Sequence, residues 1–226
     1  MKHLLTTLLL LILTFNAISQ ELDFKRPDYK SIEKEIKQKS SDFYYPVLMK
    51  RFVELDTTLT LDDYRYLYYG YIFQKEYEAY WTSPYQEKLL KYYRSTKIKR
   101  KEYDKIIDLS NKSINEFPFD LRSMNFLAYT YHLKGDEEMA IKVSKRFHGI
   151  IEAILSTGSG ETCKDGYHVI SVSHEYVILN MFLFQMKSQA LIGNCDYLEF
   201  EKDERNIDGL YFNIEKILET QRKMFK

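Results

Sequence analysis

Side chains that can bind a metal ion or transfer protons are concentrated between residues 163 and 175. Cys163 and His168 are followed by the adjacent pair His174 and Glu175. A helical zinc site of the His-Glu-x-x-His type needs two histidines on one face, one helical turn apart. Here the histidines are six residues apart, and the pattern favours surface histidines on strands. We therefore predict no metal site and no catalytic residue, with a hydrolase site near these residues as the alternative.

The segment from Thr157 to Glu161, with the sequence TGSGE, has the small residues of a phosphate-binding loop. It lacks the Gly-Lys-Ser/Thr ending of such loops, and it follows a predicted helix rather than a strand. Ser159 is no nucleophile elbow either, because Thr157 and Glu161 stand where that motif needs glycines. The segment is better explained as a helix terminator and hinge.

The 20 tyrosines of the chain are densest between Tyr64 and Tyr93. Exposed on one face, such rings can stack on sugars or line a peptide-binding surface. At helical spacing they are more often core residues whose hydroxyl groups reach water. We predict the core role, and binding of a glycan or another small ligand is kept as an alternative function.

Helices must position these residues, and the strongest helical pattern runs from Tyr103 to Ile151. Pro118 ends one helix because it cannot donate a backbone hydrogen bond. Asp120 is suited to cap the next helix, which ends at Gly135, a residue that can adopt a positive φ. Asp136 can then cap a third helix. The middle helix is predicted to bury Met124, Leu127, Ala128 and Tyr131.

The opposite face of the middle helix carries Arg122, Asn125, Tyr129 and His132. A guanidinium group, an amide, a phenol and an imidazole can together hydrogen-bond an extended peptide and its carboxylates. An ordinary solvated helix face is the competing interpretation for each single residue. We predict these four residues as the partner-binding site.

The same stretch resembles a tetratricopeptide repeat. Ile106 and Ala140 are 34 residues apart, which is the period of that repeat. The resemblance is good from Leu121 to about Ile154 and weaker over the preceding half-repeat, Tyr103 to Pro118. One repeat cannot bury its own faces, so further helices must pack against it.

Shorter helical patterns precede this stretch, and the pattern changes after Ser156. Further helices are predicted to begin near Pro27, Asp42, Thr60 and Ser83. After Ser156 the apolar runs are short and rich in β-branched and aromatic residues, which is typical of strands. Strands are predicted at 169–172, 176–179, 197–200 and 210–214, followed by a final helix from about Glu215. A helix over residues 174–186 is the alternative to the second strand.

The N terminus has the pattern of a secretory signal peptide. A basic start at Lys2 precedes an apolar run from Leu4 to Phe15 and the small residues around Ser19. Cleavage before Gln20 leaves 207 residues with 32 basic and 33 acidic side chains. This near-neutral charge disfavours nucleic-acid binding. No later apolar run reaches membrane-spanning length, so we expect a periplasmic or secreted protein that does not span the membrane.

The two cysteines, Cys163 and Cys195, both lie beyond the predicted cleavage site. In an oxidising compartment two cysteines form a disulfide more often than a metal site. Sequence separation does not show whether the geometry of a disulfide can be met. A bridge between them and two free thiols therefore both stay open.

Several short motifs, in this order, resemble the family called domain of unknown function 4919, which is found in exported proteins of Bacteroidetes. These motifs are Tyr69-Gly70-Tyr71, Pro118-Phe119-Asp120, the turn Gly135-Asp136, His174-Glu175-Tyr176 and the run from Leu210 to Ile214. The resemblance spans most of the mature chain and implies an exported protein with a repeat-like helical region. It implies no reaction, so it carries over no catalytic residue.

These observations together predict an α+β, mainly α fold, in which a tetratricopeptide-like helical array is capped by a small C-terminal antiparallel β-sheet and a final helix. We expect a signal peptide at 1–19, the helical region at 20–156 and a β-rich region at 157–226. The predicted function is a non-catalytic binding or scaffold protein without a cofactor. Its expected partner is a protein or peptide of the cell envelope.

Overall fold

The computed structural model describes residues 24–202 and 204–224. The predicted signal peptide and its cleavage site near Ser19 lie outside the described residues. The α-helices of the described part are α1 (Tyr29–Lys37), α2 (Tyr45–Val53), α3 (Leu61–Gly70), α4 (Pro84–Tyr93), α5 (Tyr103–Glu116), α6 (Leu121–Lys134), α7 (Glu137–Leu155), α8 (Val172–Met181) and α9 (Glu215–Met224). The strands of the described part are β1 (Tyr167–His168), β2 (Met186–Ile192), β3 (Cys195–Phe200) and β4 (Gly209–Asn213).

Side chains cap the helices at the positions that the sequence indicates. Thr60 and Asp63 form a reciprocal capping box at the start of α3, which satisfies amides that have no partner within the helix. Asp120 accepts from the Ser123 amide at the start of α6. Gly135 ends α6 with a φ of 86°, and Asp136 accepts from the amide of Met139 to begin α7. The predicted turn between the two helices is therefore confirmed.

Helices α5, α6 and α7 pack side by side, with α6 in contact with both neighbours. The predicted stripe of α6 is buried at Met124, Leu127 and Ala128, and Tyr131 is half-buried. Helix α3 lies across α7. A Cβ atom at Gly149 of α7 would clash with the ring of Tyr64, so the absence of a side chain lets the two helices approach closely.

The sheet has the strand order β1-β4-β3-β2. Strands β2, β3 and β4 are antiparallel, whereas β1 runs parallel to β4. The sheet is therefore mixed, and the prediction of a purely antiparallel sheet was wrong at β1. The physical reason is the connection, because the chain from β1 passes through α8 and the β2–β3 hairpin before it returns as β4.

The structure also corrects the secondary structure predicted between residues 169 and 179. Residues 176–179, predicted as a strand, lie within helix α8, and the only strand near 169–172 in the described chain is β1, which ends at His168. Ser171 caps α8 by accepting from the Ser173 amide. The strands predicted near 197–200 and 210–214 and the final helix from Glu215 are confirmed.

One hydrophobic core joins the helices to the sheet. Leu198 of β3, Phe212 of β4 and Ile217 of α9 belong to the same buried cluster as Leu48 of α2 and Leu127 of α6. A smaller cluster lies between α4 and α5 and consists of Leu89, Tyr92, Ile106 and Leu109. The fold is mainly α, with a small sheet packed on the helices, as the sequence predicts.

Candidate functional site

The exposed face of α6 is the surface on which the sequence places the partner-binding residues. Between Leu121 and Leu133, the exposed side chains are those of Arg122, Asn125, Tyr129 and His132. The Asp120 cap fixes the start of the helix and is itself held by a hydrogen bond of 2.6 Å from the Ser113 hydroxyl. The rotation of α6 is set by its buried stripe, so its opposite face must point outward.

Arg122 lines a pocket of about 250 Å³ between α6, α4 and α8. The residues around it are Tyr93, Arg122, Asn125, Phe126, Tyr129, Val177, Asn180 and Met181. Arg122 is the one charged residue among them in the described chain, so the pocket carries positive charge beside aromatic and aliphatic walls. Burial raises the pKa of the Tyr93 phenol, which keeps that ring neutral.

A second, wider pocket of about 470 Å³ lies between α6 and α7. Asn125 and Tyr129 line both pockets, and His132 lines the second. The imidazole of His132 lies 2.8 Å from the Glu137 carboxylate, which ties this end of α6 to α7. We call the two adjoining pockets, with Arg122, Asn125, Tyr129 and His132 between them, the α6 groove.

Polar groups of the α6 groove are available to a ligand. Within the described chain, the side chains of Arg122, Asn125 and Tyr129 make no hydrogen bond or ion pair. The ring of Tyr129 is half exposed, at 51%. Tyr93, Val177 and Met181 also line the groove. The sequence does not identify them, because no local pattern shows which helices pack beside α6.

His174 is a core residue, which contradicts its predicted place on the surface. Its ring is fully buried, with Nε2 2.9 Å from the Phe119 carbonyl oxygen and Nδ1 2.6 Å from the Tyr68 hydroxyl. The carbonyl can only accept, so Nε2 donates to it and Nδ1 accepts from the tyrosine. Burial lowers the pKa of His174 to about 4. Both nitrogens are thus occupied by structural hydrogen bonds.

His168 is also buried, again against the surface prediction. Its backbone N–H donates to the Thr157 hydroxyl, and its Nδ1 has no hydrogen-bond partner in the described chain. Burial, with the positive charges of Arg26 and Arg65, lowers the pKa of His168 to about 4. The imidazole is therefore neutral at neutral pH, and its position follows from the packing of β1 on α7.

Glu175 is a buried carboxyl group on α8. The Asp196 carboxyl lies beside it, although neither Glu175 oxygen makes a hydrogen bond of regular geometry within the described chain. Burial raises the pKa of Glu175 well above its usual range, and the charge of Asp196 adds to this effect. Asp196 in turn accepts a 2.9 Å hydrogen bond from the Gln189 amide. The carboxyl pair joins α8 to β3.

The structure does not show an accessible catalytic or metal-binding site at His168, His174 and Glu175. All three are buried, and both ring nitrogens of His174 already bond to protein atoms. Across the described residues, no group of three or more histidine, cysteine or acidic side chains is placed to hold a metal ion.

Tyr68 and Tyr69 of α3 belong to the core, as the sequence predicts, but their hydroxyl groups bond to protein atoms inside the core. The Tyr69 hydroxyl donates to the backbone carbonyls of Ala153 and His168, and that of Tyr68 to His174. Tyr77, which follows α3, donates to the Ile170 carbonyl. These bonds connect α3 and the segment after it to α7, to α8 and to the segment between them, so the tyrosines hold the C-terminal region against the helices.

The structure joins Cys163 and Cys195 in a disulfide. Their sulfur atoms lie 2.06 Å apart and their Cα atoms 5.7 Å apart, within the range that a bridge requires. The disulfide ties the segment after α7 to the start of β3. Neither cysteine lines either pocket of the α6 groove.

Comparison with known proteins identifies a family without assigning an activity. The family model described as domain of unknown function (DUF4919) matches residues 30–223, so the chain belongs to this family. No curated protein and no solved structure shows significant similarity to the chain. The helices of the described part are all too short or too polar to cross a membrane.

Proposed function

We propose that this member of the DUF4919 family is a non-catalytic binding or scaffold protein that recognises a protein or peptide partner through the α6 groove. One observation carries the proposal. The four side chains predicted for the site lie together on the exposed face of α6 and lie along two adjoining pockets. Within the described chain the side chains of Arg122, Asn125 and Tyr129 make no hydrogen bond or ion pair, so they can bind a ligand without breaking a bond inside the protein.

The residues of the groove indicate the chemistry of the partner. The Arg122 guanidinium can hold a carboxylate in a bidentate hydrogen bond. Asn125 and Asn180 can each donate to and accept from a peptide backbone. Phe126, Tyr129 and Met181 supply apolar surface for a side chain of the partner. An acidic or C-terminal carboxylate next to an apolar side chain satisfies all of these groups.

We further propose that the protein works in the periplasm or outside the cell, after cleavage near Ser19. The disulfide between Cys163 and Cys195 supports this location, because such bridges persist in oxidising compartments. The near-neutral charge of the chain supports a partner other than nucleic acid.

The two alternative functions have less support. A cell-envelope hydrolase with a site at His168, His174 and Glu175 would need these side chains to meet a substrate, and all three are buried. A glycan-binding surface over Tyr64–Tyr93 would need several rings exposed on one face, whereas Tyr64, Tyr68, Tyr69, Tyr71 and Tyr92 are buried.

The test is binding of the mature protein to a library of random short peptides, followed by titration of the peptides that are retained. We expect Arg122→Ala/Tyr129→Ala to weaken binding by about tenfold or more, which corresponds to about 1.4 kcal/mol. The matched control is Arg222→Ala/Tyr80→Ala, which removes an exposed arginine and a tyrosine that is 49% exposed elsewhere.

Two results would contradict the proposal. In the first, the groove variant binds the selected peptides as tightly as the native protein while circular dichroism shows both folded. In the second, the control variant loses as much affinity as the groove variant. A library that yields no binding peptide at all would also count against a peptide partner.

A further inference from the structure

The β2 strand is an exposed edge of the sheet. It is the last strand in the order β1-β4-β3-β2 and pairs with β3 alone among the described residues. All seven of its residues are exposed. The opposite edge, β1, is two residues long, and such a short strand offers little for another chain to pair with. The two edges of this sheet are therefore very different.

Most of β2 lacks the features that usually protect an edge strand. Charged side chains, proline and bulges discourage pairing with another chain. On β2 these features are confined to its start, where Lys187 forms an ion pair with Glu199 and the pairing with β3 is irregular between Met186 and Ser188. The remaining five residues, Ser188 to Ile192, have the sequence SQALI without charge or proline.

The unprotected part of β2 also exposes apolar side chains. Leu191 is 59% exposed and Ile192 is 44% exposed. Leu191 is paired with Asp196, and Gln189 with Leu198, so these β2 side chains share the sheet face that buries Leu198. The β2 side chains on this face are exposed, as are those on the opposite face. Ile192 pairs with Cys195 and lies on the other face, so side chains of a further strand beside β2 would pack against Leu191 on one face and against Ile192 on the other.

Side-chain hydrogen bonds hold the edge in place. The Gln189 amide donates to Asp196, and its carbonyl oxygen accepts from the Tyr176 hydroxyl at 2.5 Å. Six of the seven β2 residues have a pairing partner in β3. The strand therefore offers its free backbone groups in a fixed extended conformation, which lowers the entropy cost of adding another strand.

We propose that β2 is a self-association surface, on which β2 of a second copy pairs antiparallel about a two-fold axis at Ala190. In this register Ser188 lies opposite Ile192 of the second copy, and Gln189 lies opposite its Leu191. The register overlays the uncharged run on itself and leaves out the irregular start of the strand. The two copies then share one continuous sheet of eight strands, twice the four of one copy.

A second copy fits this edge because the pairing is self-complementary. A two-fold interface requires that one surface match itself, and a like charge directly opposite another would oppose this. No charged residue occurs between Ser188 and Ile192. Ala190 meets itself at the axis, where its small side chain leaves room for the symmetric contact. The inference is independent of the proposed function of the α6 groove.

The experiment is analytical ultracentrifugation of the mature protein over a range of concentrations, with a charge-swap pair at Ala190. We expect the native protein to dimerise as concentration rises. Ala190→Lys and Ala190→Glu each place like charges together at the axis, and each is expected to weaken dimerisation at least tenfold. An equal mixture of the two variants places opposite charges together and is expected to restore the dimer.

The control is Val47→Lys, which puts a lysine at an exposed apolar position of α2 and is expected to dimerise as the native protein does. Circular dichroism establishes that each variant is folded. A native protein that stays monomeric at every concentration overturns the proposal and leaves β2 to a strand from a different protein. Single variants that still dimerise, or a mixture that does not, overturn the register at Ala190.

Discussion

Single buried polar residues of this protein show why residue type alone is a weak guide to chemistry. His168, His174 and Glu175 have the side chains of an acid–base site, yet each is enclosed by other parts of the chain. A histidine that donates to Phe119 and accepts from Tyr68 has the same letter in the sequence as a catalytic one. Only the packing of distant segments distinguishes the two, because Tyr68 and Phe119 are far from His174 in sequence.

Glu175 allows a test of this buried state through pH. Folding raises its pKa, so the unfolded chain loses this proton more easily, and stability falls as the pH rises above the unfolded value near 4.3. Glu175→Gln stays neutral and removes this loss. We expect the variant to exceed the native protein in unfolding free energy at about pH 8, and to exceed it by less at about pH 5.

The measurement is urea unfolding at both pH values. The buried histidines, with lowered pKa values, lose stability in the opposite direction, as the pH falls below about 6.5. They are present in both proteins and cancel in the comparison. Glu204→Gln, at an exposed position, is the control and should show no gain. An equal gain at the two pH values would mean that Glu175 is not the titrating group.

At the scale of elements, the sequence predicts well where an apolar stripe repeats between clear caps. Helix α6 is the best example, since Asp120, Gly135 and the buried stripe define its start, end and inner face. The same stripe predicts by elimination that Arg122, Asn125, Tyr129 and His132 point outward. These four residues of the candidate site depend only on the local sequence of α6, so they could be predicted.

The prediction of secondary structure failed for elements that are buried on several sides or on no side. In α8 the consecutive residues Val177, Ile178 and Leu179 are all buried, and such a run resembles a buried strand as much as a helix. In β2 every residue is exposed, so no alternation of apolar and polar residues marks the strand. A periodic apolar pattern appears only where an element is buried on one side, and neither α8 nor β2 is buried in that way.

The packing of α6 itself can be tested with Leu127→Ala. Leu127 is buried in the main core, so truncation removes apolar contacts and leaves a cavity, and we expect a loss of about 2–5 kcal/mol in unfolding free energy. Ile141→Ala on α7, at an exposed apolar position, should change stability by about 0.5 kcal/mol or less. Chemical denaturation measures both. A loss at Leu127 as small as that at Ile141 would show that the inner face of α6 is wrongly placed.

At the scale of the whole molecule, the helices and the C-terminal region depend on each other. The core runs without interruption across the predicted boundary at residues 156 and 157. A polar contact also crosses it, as Arg26 forms an ion pair with Asp165. The tyrosines of α3 add hydrogen bonds to His168 and His174. These connections join distant segments, so no local pattern could predict them.

The disulfide is the covalent connection within the C-terminal region, and its removal should lower the stability of the whole molecule. Cys163 and Cys195 are separated by 32 residues, and closing a loop of this length restricts the unfolded chain by about 3–4 kcal/mol. We expect Cys163→Ala/Cys195→Ala to lose about this amount in urea unfolding. The loss should be global rather than local, because β3 and the helices share one core.

A reducing agent supplies the control for this prediction. Reduction should lower the stability of the native protein to near that of the double variant, and it should leave the double variant unchanged. Two unfolding transitions in the variant, in place of one, would mean that the C-terminal region unfolds separately from the helices. That outcome would contradict the single core, since a shared core makes the α6 groove and the sheet unfold together.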